Sequence, residues 1–97
     1  MDDRYAEFRN ATTSALLRGA GTTPAELRQA IAAGRAPAEL VTLVEKIRSR
    51  AWSVTDEDVD ALRDLYTEDQ LFEIIVAAAF GAADERLQAA LRALEGA

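Results

Sequence analysis

Apolar residues recur every three or four positions along most of the chain, which is the spacing of amphipathic helices. In the first part of the chain this pattern runs from Tyr5 to Leu16 and stops before the glycines at 19–21. In the middle, the stripe predicted to face the core consists of Leu40, Val41, Val44, Ile47 and Ala51. No segment alternates apolar and polar residues as a half-buried strand does, so we predict an all-α protein.

Residues typical of helix ends mark a second helix, which begins in the sequence "TPAE". We predict Thr23 as its N-cap, Pro24 as its first helical residue and Glu26 as the partner of Thr23 in a capping box. Gly34 is expected to end this helix, because glycine readily adopts the left-handed conformation that follows many helices. Pro37 is then expected to open a third helix.

Two further N-caps are predicted in the second half of the chain. Thr55 precedes a run of acidic residues, which favour the positive end of a helix dipole. The residues predicted to point inward from this fourth helix are Val59 and Leu62. Thr67, with Gln70 as its capping-box partner, begins a long helix that we predict to reach about Leu94. These boundaries predict a single domain over residues 1–97, with about five helices joined by short turns.

The first half of the long helix is predicted to be apolar on every side. Between Leu71 and Ala83 the only polar side chain is that of Glu73. A chain of 97 residues buries roughly 60–65% of the surface that it exposes when unfolded, so its core is modest. Such a core cannot enclose all sides of one helix, and we therefore expect part of this helix to contact another chain.

The composition excludes several kinds of chemistry. The chain has no cysteine and no histidine, which removes thiol nucleophiles, imidazole bases, disulfides and most zinc, haem and iron–sulfur sites, so no cofactor is expected. The net charge is −6. Residues 1–52 carry eight Lys/Arg and six Asp/Glu, whereas residues 53–97 carry three and eleven. No basic cluster is interleaved with aromatic residues, so nucleic-acid binding is not expected.

The hydropathy of the chain also bears on its location. The charged N-terminal segment "MDDRYAEFRN" lacks the apolar core of a signal peptide. The apolar run at 71–83 is shorter than the roughly 20 residues that a helix needs to span a bilayer. We therefore expect a cytoplasmic protein without a membrane-spanning segment.

The acidic sequence "DEDVD" partly matches a calcium-binding loop. Asp56, Asp58 and Asp60 match the first, third and fifth ligand positions of an EF-hand. An EF-hand also requires glycine at the sixth position and a bidentate glutamate at the twelfth, and these positions hold Ala61 and Thr67. The acidic residues are explained by a helix N-terminus, so no metal site is expected.

For Glu73 and for Trp52, the sequence allows either a functional or a structural role. A buried Glu73 would have a raised pKa and could act as an acid or a base. Alternatively, Glu73 lies with Asp69 on the solvated first part of the helix, which is the interpretation that we favour because buried carboxylates without a partner are rare. For Trp52 we favour an anchor in a core or an interface over stacking against a ligand.

Residues 46–94 resemble the C-terminal half of the AhpD-like alkylhydroperoxidase and carboxymuconolactone decarboxylase superfamily. The resemblance consists of the turn and helix start "VTDEDV", the cap "EDQLFE" and an alanine-rich helix that ends in a basic, leucine-containing segment. It implies an all-helical protomer that assembles into trimers or hexamers, or with a catalytic relative. The residues predicted to contribute to such an interface are Trp52, Leu71, Phe72, Ile75, Val76 and Phe80.

The chain departs from this superfamily in its chemistry. The peroxidase branch uses a C-x-x-C pair with a nearby histidine and glutamate, and without any cysteine or histidine this chemistry is excluded. No site motif of the decarboxylase branch is present to transfer. The leading hypothesis is a non-catalytic oligomeric scaffold, regulatory subunit or binding subunit. The alternative is a small thiol-independent enzyme, of isomerase, lyase or decarboxylase type, that uses carboxylates such as Glu73 in a pocket between subunits.

Overall fold

The structure, a computed structural model, describes residues 3–96, of which the side chains of residues 3–5 and 9 are not described. Tyr5, at the start of the first predicted stripe, therefore lies outside the described side chains. The described residues form five α-helices: α1 (Asp3–Leu17), α2 (Ala25–Ala32), α3 (Val41–Arg50), α4 (Asp56–Asp60) and α5 (Glu68–Gly96). Short 3-10 turns precede and follow α3, at Ala38–Leu40 and Ala51–Ser53. No strand occurs in residues 3–96, which confirms the prediction of an all-α fold.

The predicted end of α2 is confirmed at Gly34, which has a φ of 86°. Its N–H donates to the carbonyl of Ile31 at 3.0 Å, and the N–H of Arg35 donates to that of Ala30 at 2.8 Å. This pair of bonds is the Schellman motif, which satisfies the last carbonyls of a helix and needs a left-handed residue at this position.

Two of the three predicted N-caps are present, and each takes the form of a capping box. At the start of α4, the Thr55 hydroxyl accepts from the N–H of Asp58 at 3.3 Å, and the Asp58 carboxylate accepts from the N–H of Thr55 at 2.9 Å. Thr67 and Gln70 make the same reciprocal bonds at 3.1 and 2.9 Å before α5. These caps fix the starts of both helices, as predicted.

The capping box predicted at Thr23 is wrong. Helix α2 begins at Ala25 with Pro24 in the N-cap position, and no side chain makes a capping hydrogen bond there. The Thr23 hydroxyl instead donates to the carboxylate of Glu73 at 2.7 Å. A hydrogen bond to a charged acceptor is stronger than one between neutral groups, which explains why the tertiary contact replaces the local one.

The core lies where α2, α3 and α5 meet. Its buried large side chains are Ile31, Leu40, Leu43, Val44 and Ile47, together with Leu62, Leu71 and Ile74. The stripe predicted for the third helix is correct at Leu40, Val44 and Ile47 but wrong at Val41 and Ala51, which are exposed. Val41 lies at the edge of the buried stripe, and Ala51 follows the end of α3.

Helix α5 packs closely against α2 through its smallest residues. Gly81 and its neighbours Ala77, Ala78 and Ala82 are buried. A Cβ atom added at Gly81 would overlap the carbonyl oxygen of Ala32. The absence of a side chain at Gly81 therefore permits the approach of the two helices. None of the helices in the described part of the chain has both the length and the apolarity needed to cross a membrane.

Candidate functional site

The carboxylate of Glu73 is the centre of a polar cluster that joins distant parts of the chain. Its Oε2 accepts from the N–H and the hydroxyl of Thr22, at 2.7 and 2.5 Å. Its Oε1 accepts from the N–H and the hydroxyl of Thr23, at 3.0 and 2.7 Å. Four hydrogen bonds occupy the accepting sites of a carboxylate. Glu73 thus anchors the loop between α1 and α2 to the side of α5.

Arg28 extends this cluster to the end of α1. Its side chain is almost fully buried, with 5% of the residue exposed. One terminal nitrogen donates to the carbonyl of Leu16 at 2.9 Å, and the other donates to the carbonyl of Gly19. Its Nε lies 3.9 Å from Oε1 of Glu73. Arg28 therefore places a positive charge beside Glu73 and binds one carbonyl in the last turn of α1 and one in the loop that follows it.

The hydrogen bonds of Thr22 and then Thr23 lower the pKa of Glu73 to about 2. The raised pKa on which a role in acid–base catalysis depended is therefore not found, and the carboxylate is ionised at any physiological pH. The favoured interpretation of a solvated Glu73 is also incomplete, because the side chain is only 21% exposed. Its observed role is that of a hydrogen-bonded anchor.

A groove of about 200 Å³ lies beside this cluster, lined by Ala15, Leu16, Ala20, Gly21, Phe72 and Val76 as well as the two charged side chains. The carboxylate of Glu73 and the two terminal nitrogens of Arg28 are engaged with groups of the protein itself. The surface that the groove offers to another molecule is therefore mainly apolar.

A second depression, of about 370 Å³, lies on the other side of Phe72. Its apolar lining includes Val59, Leu71 and Ile75, and charged side chains at its edge include Arg63 and Asp69. Phe72 contributes to both depressions and is 67% exposed. It is therefore a protruding apolar ridge between two shallow hollows.

The exposed side of α5 around Phe72 forms a continuous apolar surface, which we name the outer face. Its members are exposed or half-buried and lie at helical spacing: Phe72, Ile75, Val76, Ala79 and Ala83. Between Phe72 and Ala83 the only charged residue of the sequence is Glu73, which is bound to the threonines. Exposed charged residues adjoin the outer face at both ends, with Asp69 before it and Arg86 after it.

The residues predicted to form an interface occupy different environments. Leu71 is 3% exposed and belongs to the core of its own chain, so it has no surface left for a partner. Phe72, Ile75 and Val76 lie on the outer face, and Phe80 is half-buried. Trp52 is 84% exposed in the 3-10 turn after α3, so an anchor role in the core is wrong. A role of Trp52 in an interface stays a prediction.

The acidic start of α4 is held by other protein groups. The Asp58 carboxylate accepts from Nζ of Lys46 at 2.8 Å and from the N–H of Thr55. The bond from Lys46, followed by that from Thr55, lowers the pKa of Asp58. Lys46 is thus paired with Asp58. In the described part of the chain, no group of three or more acidic side chains is arranged to hold a metal ion.

Comparisons with known protein families, with curated proteins and with solved structures found no match to this chain. The resemblance to the AhpD-like superfamily therefore stays a prediction. The same holds for assembly into trimers or hexamers and for assembly with a catalytic relative.

Proposed function

We propose that the protein is a non-catalytic scaffold that assembles with a second copy of itself through the outer face of α5. The observation that carries this proposal is the protruding Phe72, 67% exposed, within an apolar surface that the rest of the chain covers only in part. Contiguous exposed apolar surface of this kind commonly marks an interaction site.

A second copy is the occupant that this surface fits best. Along α5 the residues of the outer face and the charges at its ends recur at alternating intervals of three and four: Asp69, Phe72, Val76, Ala79, Ala83 and Arg86. This is the spacing of the seam between two paired helices. Because the charges at the two ends have opposite signs, the surface is complementary to a copy of itself.

The chemistry of the polar cluster supports a scaffold over the alternative of a small enzyme. The candidate catalytic group, Glu73, has a pKa of about 2 and accepts four hydrogen bonds from the protein. A general acid or base at neutral pH needs a pKa much closer to 7. Glu73 instead holds the loop before α2 against α5 and so supports the surface that carries Phe72.

The proposal is tested by measuring molar mass with light scattering and helicity with circular dichroism. We expect the wild-type protein to exceed the 10.5 kDa of one chain at about 100 µM, a concentration at which even weak self-association is visible. Phe72→Glu should return the mass to that of one chain while the helicity is kept, because Phe72 is not part of the core.

Phe8→Glu provides a matched control, since Phe8 is 72% exposed on α1 and lies away from α5 in sequence. This variant should assemble like the wild type. A wild-type protein that is monomeric at about 100 µM would exclude the proposed function. A Phe72→Glu variant that keeps the wild-type mass would place the interface elsewhere.

A further inference from the structure

We infer that two copies of the protein pair through antiparallel α5 helices, related by a two-fold axis at the level of Val76 and Ala79. This inference rests on the proposed self-assembly and specifies the partner, its direction and its register. It follows from the charges and the side-chain sizes along the outer face.

The charges determine the direction of pairing. Asp69 and Arg86 are exposed and lie at opposite ends of the outer face. Parallel helices would place each of these residues beside its own copy, so that like charges meet. Antiparallel helices place Asp69 of each chain beside Arg86 of the other, which makes both contacts attractive.

The sizes of the side chains agree with this register. The midpoint between Asp69 and Arg86 along the sequence is also the midpoint between Phe72 and Ala83, and between Val76 and Ala79. In the antiparallel pair, Phe72 and Val76 therefore lie opposite Ala83 and Ala79 of the other chain. Large residues opposite small ones let two surfaces interlock, and the alanines let the helices approach closely.

The two charged groups are able to make these contacts. One terminal nitrogen of Arg86 donates to the carbonyl of Arg48 at 2.6 Å, and a guanidinium has further N–H groups to offer. Glu68, the neighbour of Asp69, is already paired with Arg63 at 2.7 Å. Asp69 lies on the seam itself and is the natural acceptor for Arg86 of a second copy.

An exposed ion pair contributes little stability alone, so these pairs direct the assembly more than they drive it. A two-fold axis doubles every contact, however, because the same residues meet twice. Reversing one charge per chain therefore turns two attractive contacts into two repulsive ones. We expect Asp69→Arg, or Arg86→Asp, to weaken self-association by about 10- to 30-fold in Kd.

The decisive experiment combines the charge reversals and measures Kd by analytical ultracentrifugation. A 1:1 mixture of Asp69→Arg and Arg86→Asp chains should associate as tightly as the wild type, because each contact again joins opposite charges. The double variant Asp69→Arg/Arg86→Asp should associate with itself as the wild type does, but it should bind the wild-type chain more weakly. Arg92→Asp and Glu95→Arg, which reverse exposed charges of α5 that lie off the seam, should leave Kd nearly unchanged.

The outcomes separate this inference from the proposed function. One outcome is that the wild type associates and Phe72→Glu separates the chains, while the mixture associates no more tightly than either single variant alone. In that case the antiparallel register is wrong and the scaffold function stands. If the single reversals leave Kd unchanged while the mixture associates more tightly than the wild type, the helices pair in parallel, because reversing a residue that meets its own copy leaves like charges in contact. A monomeric wild type would overturn both. Circular dichroism of each variant verifies that Arg86→Asp, which also loses the bond to Arg48, remains folded.

Discussion

Helix α5 has an inner and an outer apolar side, and the rest of the chain covers only the inner one. On the inner side, α2 and α3 bury Leu71, Ile74, Ala77, Ala78, Gly81 and Ala82. On the outer side, Phe72, Ala79 and Ala83 remain exposed. Similar apolar residues therefore serve two purposes on one helix. The inner side stabilises the protomer, and the outer side is free for the partner that we propose.

The adjacent residues Ile74 and Ile75 offer the sharpest test of this difference. Ile74 is fully buried, whereas Ile75 is half-buried on the outer face. We expect Ile74→Ala to lower the free energy of unfolding by about 3–4 kcal/mol, because it leaves a cavity in the core. Ile75→Ala should cost less than about half of that in the single chain, because its side chain buries less surface.

Both effects are measured by urea unfolding at several protein concentrations, with circular dichroism as the signal. Self-assembly stabilises the folded state by mass action, so wild-type stability should rise with concentration. Ile75→Ala should reduce this increase of the free energy of unfolding with concentration. The loss of stability caused by Ile74→Ala should be present even at the lowest concentration. If the two variants lose the same free energy of unfolding at every concentration, the inner and outer sides of α5 do not differ in the way proposed.

Gly81 provides a smaller test, confined to the inner side. Gly81→Ala should lower the free energy of unfolding by about 2 kcal/mol, because overlap with the rigid Ala32 carbonyl outweighs the roughly 1 kcal/mol that alanine adds to a helix. Gly96→Ala is the matched control on the same helix, since an added Cβ there meets nothing within 4 Å. Thermal melting should show a clear decrease for the first variant and little change for the second.

The parts of the fold that sequence could predict are those determined by neighbouring residues. The caps at Thr55 and Thr67 and the helix end at Gly34 each depend on a few consecutive residues, and all three predictions are confirmed. The core stripe of α3 is predicted from helical spacing. The prediction is wrong at Val41, which lies at the edge of the buried stripe, and at Ala51, which follows the end of α3.

The candidate site was less predictable because its contacts join distant residues. The partners of Glu73 lie about fifty positions earlier, in a loop whose threonines also fit a local cap. A sequence can show that a helix is apolar all round, but the side that the chain covers depends on how α2 and α3 pack. Leu71 and Phe72 illustrate this, since two neighbouring residues predicted for one interface lie in the core and at the surface respectively.

Glu73 lies at the border between the two sides of α5, and the smallest predicted effect concerns its charge. Its pKa is lowered from the ordinary value of 4.5 to about 2 in the folded protein. Folding therefore favours the ionised form, and the resulting stability is fully present above about pH 4.5 and is lost as the pH falls toward 2. Because the side chain is partly exposed to solvent, we expect a contribution of about 1–2 kcal/mol, below the roughly 3 kcal/mol that the full shift represents.

Comparing Glu73→Gln with the wild type by urea unfolding tests this linkage. At pH 7 the variant should be less stable by about 1–2 kcal/mol, and the gap should narrow toward pH 2, where the wild-type carboxylate also becomes protonated. Glu95→Gln, at an exposed position near the end of α5, controls for the loss of one negative charge. A deficit of Glu73→Gln that stays constant from pH 7 to pH 2 would show that the ionised carboxylate is not what holds the threonine loop against α5.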